Sequence, residues 1–410
     1  MSDVSKFLFT ALCVFFACSG KDSRTIVVWH SLRPTDRIVL QNGLDNFAQK
    51  HPGWRFSELF YAPEEARTNF IISALGGSGP ALFWGANDNI GPFVEMEVIL
   101  PLEDLLTQTF IDSFITDPLI ANTWMNGHLY QIADRIGNHL HLVYNRALVQ
   151  LPPSSMNELI EIGKELTHDT DGDGTADTYA LVWNYTEPYF AVPFIGGYGG
   201  WIIDEQNDPT LNSEAVVKAA QLIYDLANKY KIIPLECDYE IANALFKDGY
   251  AAMIINGSWS WGSYIDNGID IGLAKIPKID ETGLWPQPAV SPLGYSLNIN
   301  LRDEKLEMAV DLLRYLTSSQ IELKYTEVSA AIPSRIDAYE NPAVMDNPMV
   351  KASLEQLLVG RIMSPVTEMR WIWDAMRPAY QSIFTGHMPP ERAAREMQLL
   401  AEKLIRENRE

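Results

Sequence analysis

Short apolar runs of strand character alternate along this chain with amphipathic stretches of helical period, and that alternation constrains the fold more than any other feature. Residues 24–30 (RTIVVWH) read as a buried strand, and residues 36–50 follow as a helix with Ile38, Leu44 and Phe47 directed toward a core. Ser155 and Glu158 form a capping box ahead of a helix carrying Leu159, Ile162 and Leu166, and Asn212-Ser213 opens another bearing Val216, Ala220, Ile223 and Ala227. Residues 139–144 and 294–300 alternate as strands, while 303–318 and 389–408 read as helices. Strands separated by helices predict an α/β fold of parallel sheets covered on both faces, with ligands bound beyond the carboxyl ends of the strands. A chain of 410 residues is too long for one hydrophobic core, so two domains are expected.

The charge balance removes one class of partner. Lys and Arg number 31 against 53 Asp and Glu, a formal net charge of -22, which repels a polyanion and argues against nucleic-acid binding. The three cysteines, Cys13, Cys18 and Cys237, lack the paired spacing of a zinc or iron-sulfur site. Residues 7–18 (FLFTALCVFFAC) are too short to span a bilayer but fit the apolar region of an export signal. The stretch from Phe16 to Ser19 (FACS) resembles a bacterial lipobox, which would lipidate Cys18 and make it the new N-terminus; a plain cleaved signal peptide is the alternative. Cys237, left without a partner, reads as a small buried thiol.

Enzyme motifs are missing: no HExxH, GxSxG or Walker A sequence occurs, and Gly76 to Pro80 (GGSGP) lacks the Lys-Ser/Thr ending that a phosphate loop needs. Asp169, Asp171, Asp173 and Asp177 match the first nine positions of a calcium loop, with Ala180 where a bidentate Glu would complete an EF-hand. The expected role is a structural calcium, and no cofactor is required. Residues 251–261 (AAMIINGSWSW) form an apolar strand that ends in Asn-Gly and hands two tryptophans to a loop, the pattern of a binding wall built from aromatic faces.

That run resembles a segment of the maltose/maltodextrin-type extracellular solute-binding proteins, the sugar-capturing subunits of ABC importers. Further stretches agree in order and approximate spacing: Thr25 to His30, Phe47 to Pro52, Pro80 to Asp88, Tyr144-Asn145-Arg146, Glu187 to Phe190, Phe246 to Gly249 and Glu368 to Asp374. The resemblance implies a type II periplasmic-binding-protein-like fold, two α/β lobes closing on a ligand cleft. It divides the chain into residues 1–21 as signal and linker, 22–137 plus 293–342 as the N-terminal lobe, and 138–292 plus 343–410 as the C-terminal lobe, with hinges near Gly137-Asn138 and Ser291-Pro292. It further implies a sugar site of Trp84 and Asp88 facing Tyr189, Trp259 and Trp373, with Arg135 as a polar contact and Trp261 and Trp371 as packing. Asn89 stands where a close family member has an arginine, and Asn138 near where it has a glutamate. The partners implied are an oligosaccharide ligand, such as a maltodextrin- or trehalose-like glycan, and the importer's permease. The chain itself is expected to be an exported monomer, held at the membrane only by a lipid anchor. A sugar-binding lipoprotein for adhesion or sensing, or a glycan-cleaving enzyme, are the alternative functions.

Overall fold

The computed structural model describes residues 24–116 and 120–409, so the apolar N-terminal run and Cys18 lie outside the described residues. Among the described residues eleven strands follow in chain order: β1 (Thr25–His30), β2 (Arg55–Phe60), β3 (Leu82–Ala86), β4 (Thr123–Met125), β5 (His128–Gly137), β6 (Leu140–Asn145), β7 (Tyr179–Val182), β8 (Ala251–Gly257), β9 (Ile271–Ala274), β10 (Ala289–Leu297) and β11 (Arg361–Ile362). They build two sheets. The first runs β2-β1-β3-β10-β5-β4, with β11 added beside β10, and the second runs β7-β8-β6-β9.

The sheets are mixed rather than parallel. β1 is parallel to β2 and β3, but β10 is antiparallel to both β3 and β5, and β6 is antiparallel to both β8 and β9. The physical reason lies in the connections. A helical crossover returning to the same sheet enforces parallel strands, whereas β10 enters the first sheet from β9 of the second and is free of that constraint.

Local signals hold with small displacements. The first helix spans Pro34–Lys50 with proline in its first turn; Leu44 and Phe47 are buried, but Ile38 is 57% exposed because the inward stripe runs through Leu40, Leu44 and Phe47. Ser155 caps the Met156–Leu166 helix by accepting from the Glu158 N–H at 3.3 Å. The return bond to Glu158 comes from the Ser154 N–H at 2.7 Å, one residue earlier than a capping box requires. Ser213 caps Glu214–Tyr224, which continues as a π-turn over Asp225–Lys229. β10 begins five residues before the expected position 294.

β8 is buried along all seven residues, which explains its unbroken apolar sequence: a central strand covered on both faces has no solvent side. The Tyr239–Lys247 helix packs on it, the Met156–Leu166 helix on β7, and the Pro348–Leu357 helix on β6 and β9. Each sheet with its helices makes one lobe. The chain passes between them directly from β5 to β6, and again from β9 to β10.

Candidate functional site

β3 ends at the junction of the lobes and runs into a short turn, Asn87–Asn89. Asn89 donates from Nδ2 to the Ala86 carbonyl at 2.8 Å, and Asn87 donates to the Met363 carbonyl at 3.0 Å, so the turn is tied to the strand behind it and to the segment entering the last long helices. Asp88, between them, is half-buried. Trp84 is buried in the strand, and its indole N–H donates to Asp134 at 3.0 Å.

Tyr189 and Trp373 face each other edge to face with ring centroids 6.2 Å apart, Tyr189 from the Pro188–Phe190 turn and Trp373 from the Glu368–Phe384 helix. Tyr189 is half-buried and Trp373 is buried. Burial pushes the Tyr189 phenol well above its usual range, and the Asp88 carboxylate of the first lobe pushes in the same direction. Among the described residues Trp259 makes no ring pair with either aromatic. Its half-buried ring folds back over Gly257, where a Cβ would sit 2.1 Å from the indole, so only glycine allows this placement. Both Trp259 and Trp261 lie in the Ser258–Asp266 helix, not in the loop expected from sequence: the chain turns helical immediately after Gly257, closed by the Ser260 hydroxyl on the Gly257 carbonyl at 2.7 Å. Trp261 is fully buried, edge-on to His141, and Trp371 is half-buried.

Arg135 differs from the polar cleft contact expected of it. Its guanidinium is buried inside the first lobe, donating to Asp134 at 3.1 and 3.2 Å and to Asp36 at 2.7 Å, with its face 3.7 Å from the Tyr325 ring centroid and 5.2 Å from that of Trp84. Two carboxylates and two aromatic faces surround it in a buried site, so it braces the wall behind Trp84.

A cluster of charges lines the junction that the sequence reading had not singled out. Glu64 and Arg67 come from the Pro63–Leu75 helix of the first lobe; Arg370, Asp374 and Arg377 come from the Glu368–Phe384 helix of the second, with Glu187 beside them. Glu64 binds Arg370 at 3.0 Å across the junction and also pairs with Arg67. Arg377 bridges Asp374 at 2.9 Å and Glu187 at 3.2 Å, and Arg67 reaches the Asn89 side-chain oxygen at 3.5 Å. Burial, opposed by Asp88 and reinforced by Arg370, pulls the Arg67 guanidinium down to about 10. The spacing of 64 with 67, and of 370 with 374 and 377, sets each group on one helix face, a signal that could have marked these residues.

The lobes meet at further points. Arg33 lies over the Tyr239 ring at 5.2 Å, and Gly91 packs so closely on the Pro365–Thr367 segment that a Cβ would come 2.4 Å from the Pro365 carbonyl oxygen. The acidic loop is remote in character: Asp169, Asp171 and Asp177 bring oxygens within 4.8 Å of one another, all exposed. The loop closes through its own bonds, with Asp169 accepting from the Gly172 and Gly174 N–H groups and Asp173 from that of Thr175.

Two mixed sheets with an aromatic and charged junction between them agree with the comparison to known families, in which the model of the bacterial extracellular solute-binding protein matches residues 44–352. The chain belongs to that family. This solute-binding protein is 43% identical, with a TM-score of 0.88 over 93% of its chain and 100% of the other, to a structure of the maltose/maltodextrin-binding domain MalE from Bdellovibrio bacteriovorus bound to maltotriose. A Thermus thermophilus maltotriose binding protein bound with maltotriose shares the fold, with a TM-score of 0.81 at 23% identity over 93% and 100% of the two chains. In sequence the solute-binding protein is 23% identical over 371 residues to a maltotriose-binding protein of Pyrococcus abyssi (strain GE5 / Orsay), covering 89% of its own chain and 78% of that protein. The family is one of binding proteins, exported from the cell. Among the described residues of this member, no helix is long and apolar enough to cross a membrane.

Proposed function

We propose that this solute-binding protein captures an uncharged oligosaccharide of the maltodextrin class in the junction between its lobes and delivers it to an ABC importer by lobe closure. The observation that carries this reading is the pairing of aromatic faces with a charge cluster that is already internally matched. Tyr189 and Trp373 meet edge to face at the junction, and the three arginines there, Arg67, Arg370 and Arg377, are accompanied by four carboxylates, Glu64, Asp88, Glu187 and Asp374. An anionic ligand finds each of these three arginines already matched to a carboxylate, whereas a neutral ring finds apolar faces to stack on and acceptors for its hydroxyls.

In this reading Asp88, Tyr189, Trp259 and Trp373 touch the sugar, while Trp84 and Arg135 support the first lobe's wall. The lobes divide at the β5–β6 and β9–β10 crossovers, and closure is a hinge rotation that ligand contacts to both lobes stabilise. Lipidation at Cys18, after the apolar run of residues 7–17, would hold the protein at the membrane as a monomer beside its permease.

Calorimetric titration against maltose, maltotriose, a galactooligosaccharide and a glycerol phosphodiester tests the proposal. The expected result is binding of maltotriose without binding of the phosphodiester. Preference for the phosphodiester, or a thermal midpoint unmoved by every sugar, overturns it. A ligand at one hundred times its dissociation constant should add about 2.7 kcal/mol of stability.

A further inference from the structure

Tyr189 touches two of the places where the chain passes between the lobes. Its hydroxyl donates to the carbonyl of Asn138, the first of the two residues between β5 and β6, and the carbonyl of Ala289, the first residue of β10, lies 3.0 Å from the same oxygen. The two crossovers are also bound to each other, since Asn138 donates from Nδ2 to the Ser291 hydroxyl at 3.0 Å and Gly137 is paired with Ser291 in the sheet. Asn138 itself holds a left-handed conformation, φ 42°, that an asparagine tolerates better than most residues. On its other side the Tyr189 ring meets Trp373.

We propose that Tyr189 is the residue that couples ligand contact to lobe closure, its ring lying in the cleft's aromatic pair and its hydroxyl bridging the two hinge crossovers. The coupling to ligand rests on the oligosaccharide reading above; the hinge bridge does not. A phenol has one proton to donate, and two backbone carbonyls from different crossovers converge on it. Rotation of one lobe against the other changes the separation of those carbonyls, so the bridge is complete in only one relative orientation. A sugar packed against the ring holds the ring where the hydroxyl reaches both carbonyls, and the closed orientation is favoured by that bond only when the ring is in place. Burial keeps the phenol protonated through the neutral range, so it acts as a donor throughout.

The test separates ring from hydroxyl. Tyr189→Phe keeps the aromatic face and removes the donor. In the full chain with Cys13, Cys18 and Cys237 replaced by serine, spin labels at Leu75→Cys and Leu151→Cys, both exposed and one in each lobe, report the interlobe distance by double electron-electron resonance. Without ligand, Tyr189→Phe should broaden the distance distribution relative to its parent. With saturating maltotriose the parent should narrow to a shorter distance and the variant should not reach it, while maltotriose dissociates about three to ten times faster from the variant, the loss of one hydrogen bond. A packing defect alone would lower the melting temperature without altering the distribution. Distributions that coincide in the ligand-free proteins overturn the hinge bridge. If the parent itself gives no response to maltotriose, the sugar reading fails and the ligand-free comparison still decides the bridge. A variant that broadens when ligand-free yet closes and releases maltotriose as the parent does overturns the coupling.

Discussion

Glu64 and Arg370, 306 positions apart in the chain, lie 3.0 Å from each other across the junction of the two lobes. One sits on the Pro63–Leu75 helix and the other on the Glu368–Phe384 helix, so the bond exists only when the lobes are brought together. The Glu64 side chain is more than half exposed, which limits the pair to about 0.2–1 kcal/mol. Glu64→Gln should therefore weaken maltotriose binding no more than about fivefold. Calorimetry at low and high salt should show the wild type losing that advantage as salt rises and the variant changing little.

Trp259 and Trp261, two residues apart on one helix, should respond oppositely to truncation. Trp259→Ala removes a half-buried ring and should cost about 1–3 kcal/mol of ligand affinity with the fold retained. Trp261→Ala leaves a cavity around a fully buried site and should cost about 3–5 kcal/mol of stability, with affinity per folded molecule unchanged. Melting and titration of both variants check the pair; a low-melting Trp259→Ala with normal affinity would move Trp259 into the core.

Arg135→Met should destabilise the protein by about 3–5 kcal/mol, because it leaves Asp134 and Asp36 in a buried site without the cation that pairs them. Denaturant unfolding measures this directly. Replacing Asp134 and Arg135 together by apolar residues of similar size should recover much of the loss, which a direct ligand contact would not do.

His139 carries a pH dependence with a definite sign. It is 3% exposed, donates from Nε2 to the Ser353 carbonyl at 3.1 Å, and burial holds its pKa down to about 4 against 6.5 in the unfolded chain. Between those values the unfolded state binds the proton and the folded state does not. Stability is thus complete above about 6.5 and falls as the pH drops toward 4, by about 2 kcal/mol at pH 5 from this residue. Thermal midpoints recorded from pH 7 to pH 5 should decline. His139→Leu should flatten that slope; an unchanged slope would assign the acid sensitivity elsewhere, with its buried neighbour His141 next in line.

Patterns carried by neighbours in the chain were legible before any coordinates. Apolar runs set β1, β6 and β8, and serine caps set the starts of the Met156–Leu166 and Glu214–Tyr224 helices, because periodicity and capping act within a few residues. The family motifs likewise marked Trp84, Asp88, Tyr189, Trp259 and Trp373 as a group worth following. What the sequence determined by itself, then, was several of the elements and the two-lobed class of the fold.

Tertiary structure decided the rest. The direction of β10 depends on which sheet its chain arrives from, and whether Arg135 faces a ligand or two buried carboxylates depends on Asp36 reaching it from 99 residues away. The junction's arginines acquire their partners only when helices 306 positions apart in sequence are laid side by side, as Glu64 and Arg370 are. Burial and electrostatic pairing fall off over a few ångströms in space, while residue order measures distance along the chain, so a residue's type was readable from the sequence and its partners only from the fold.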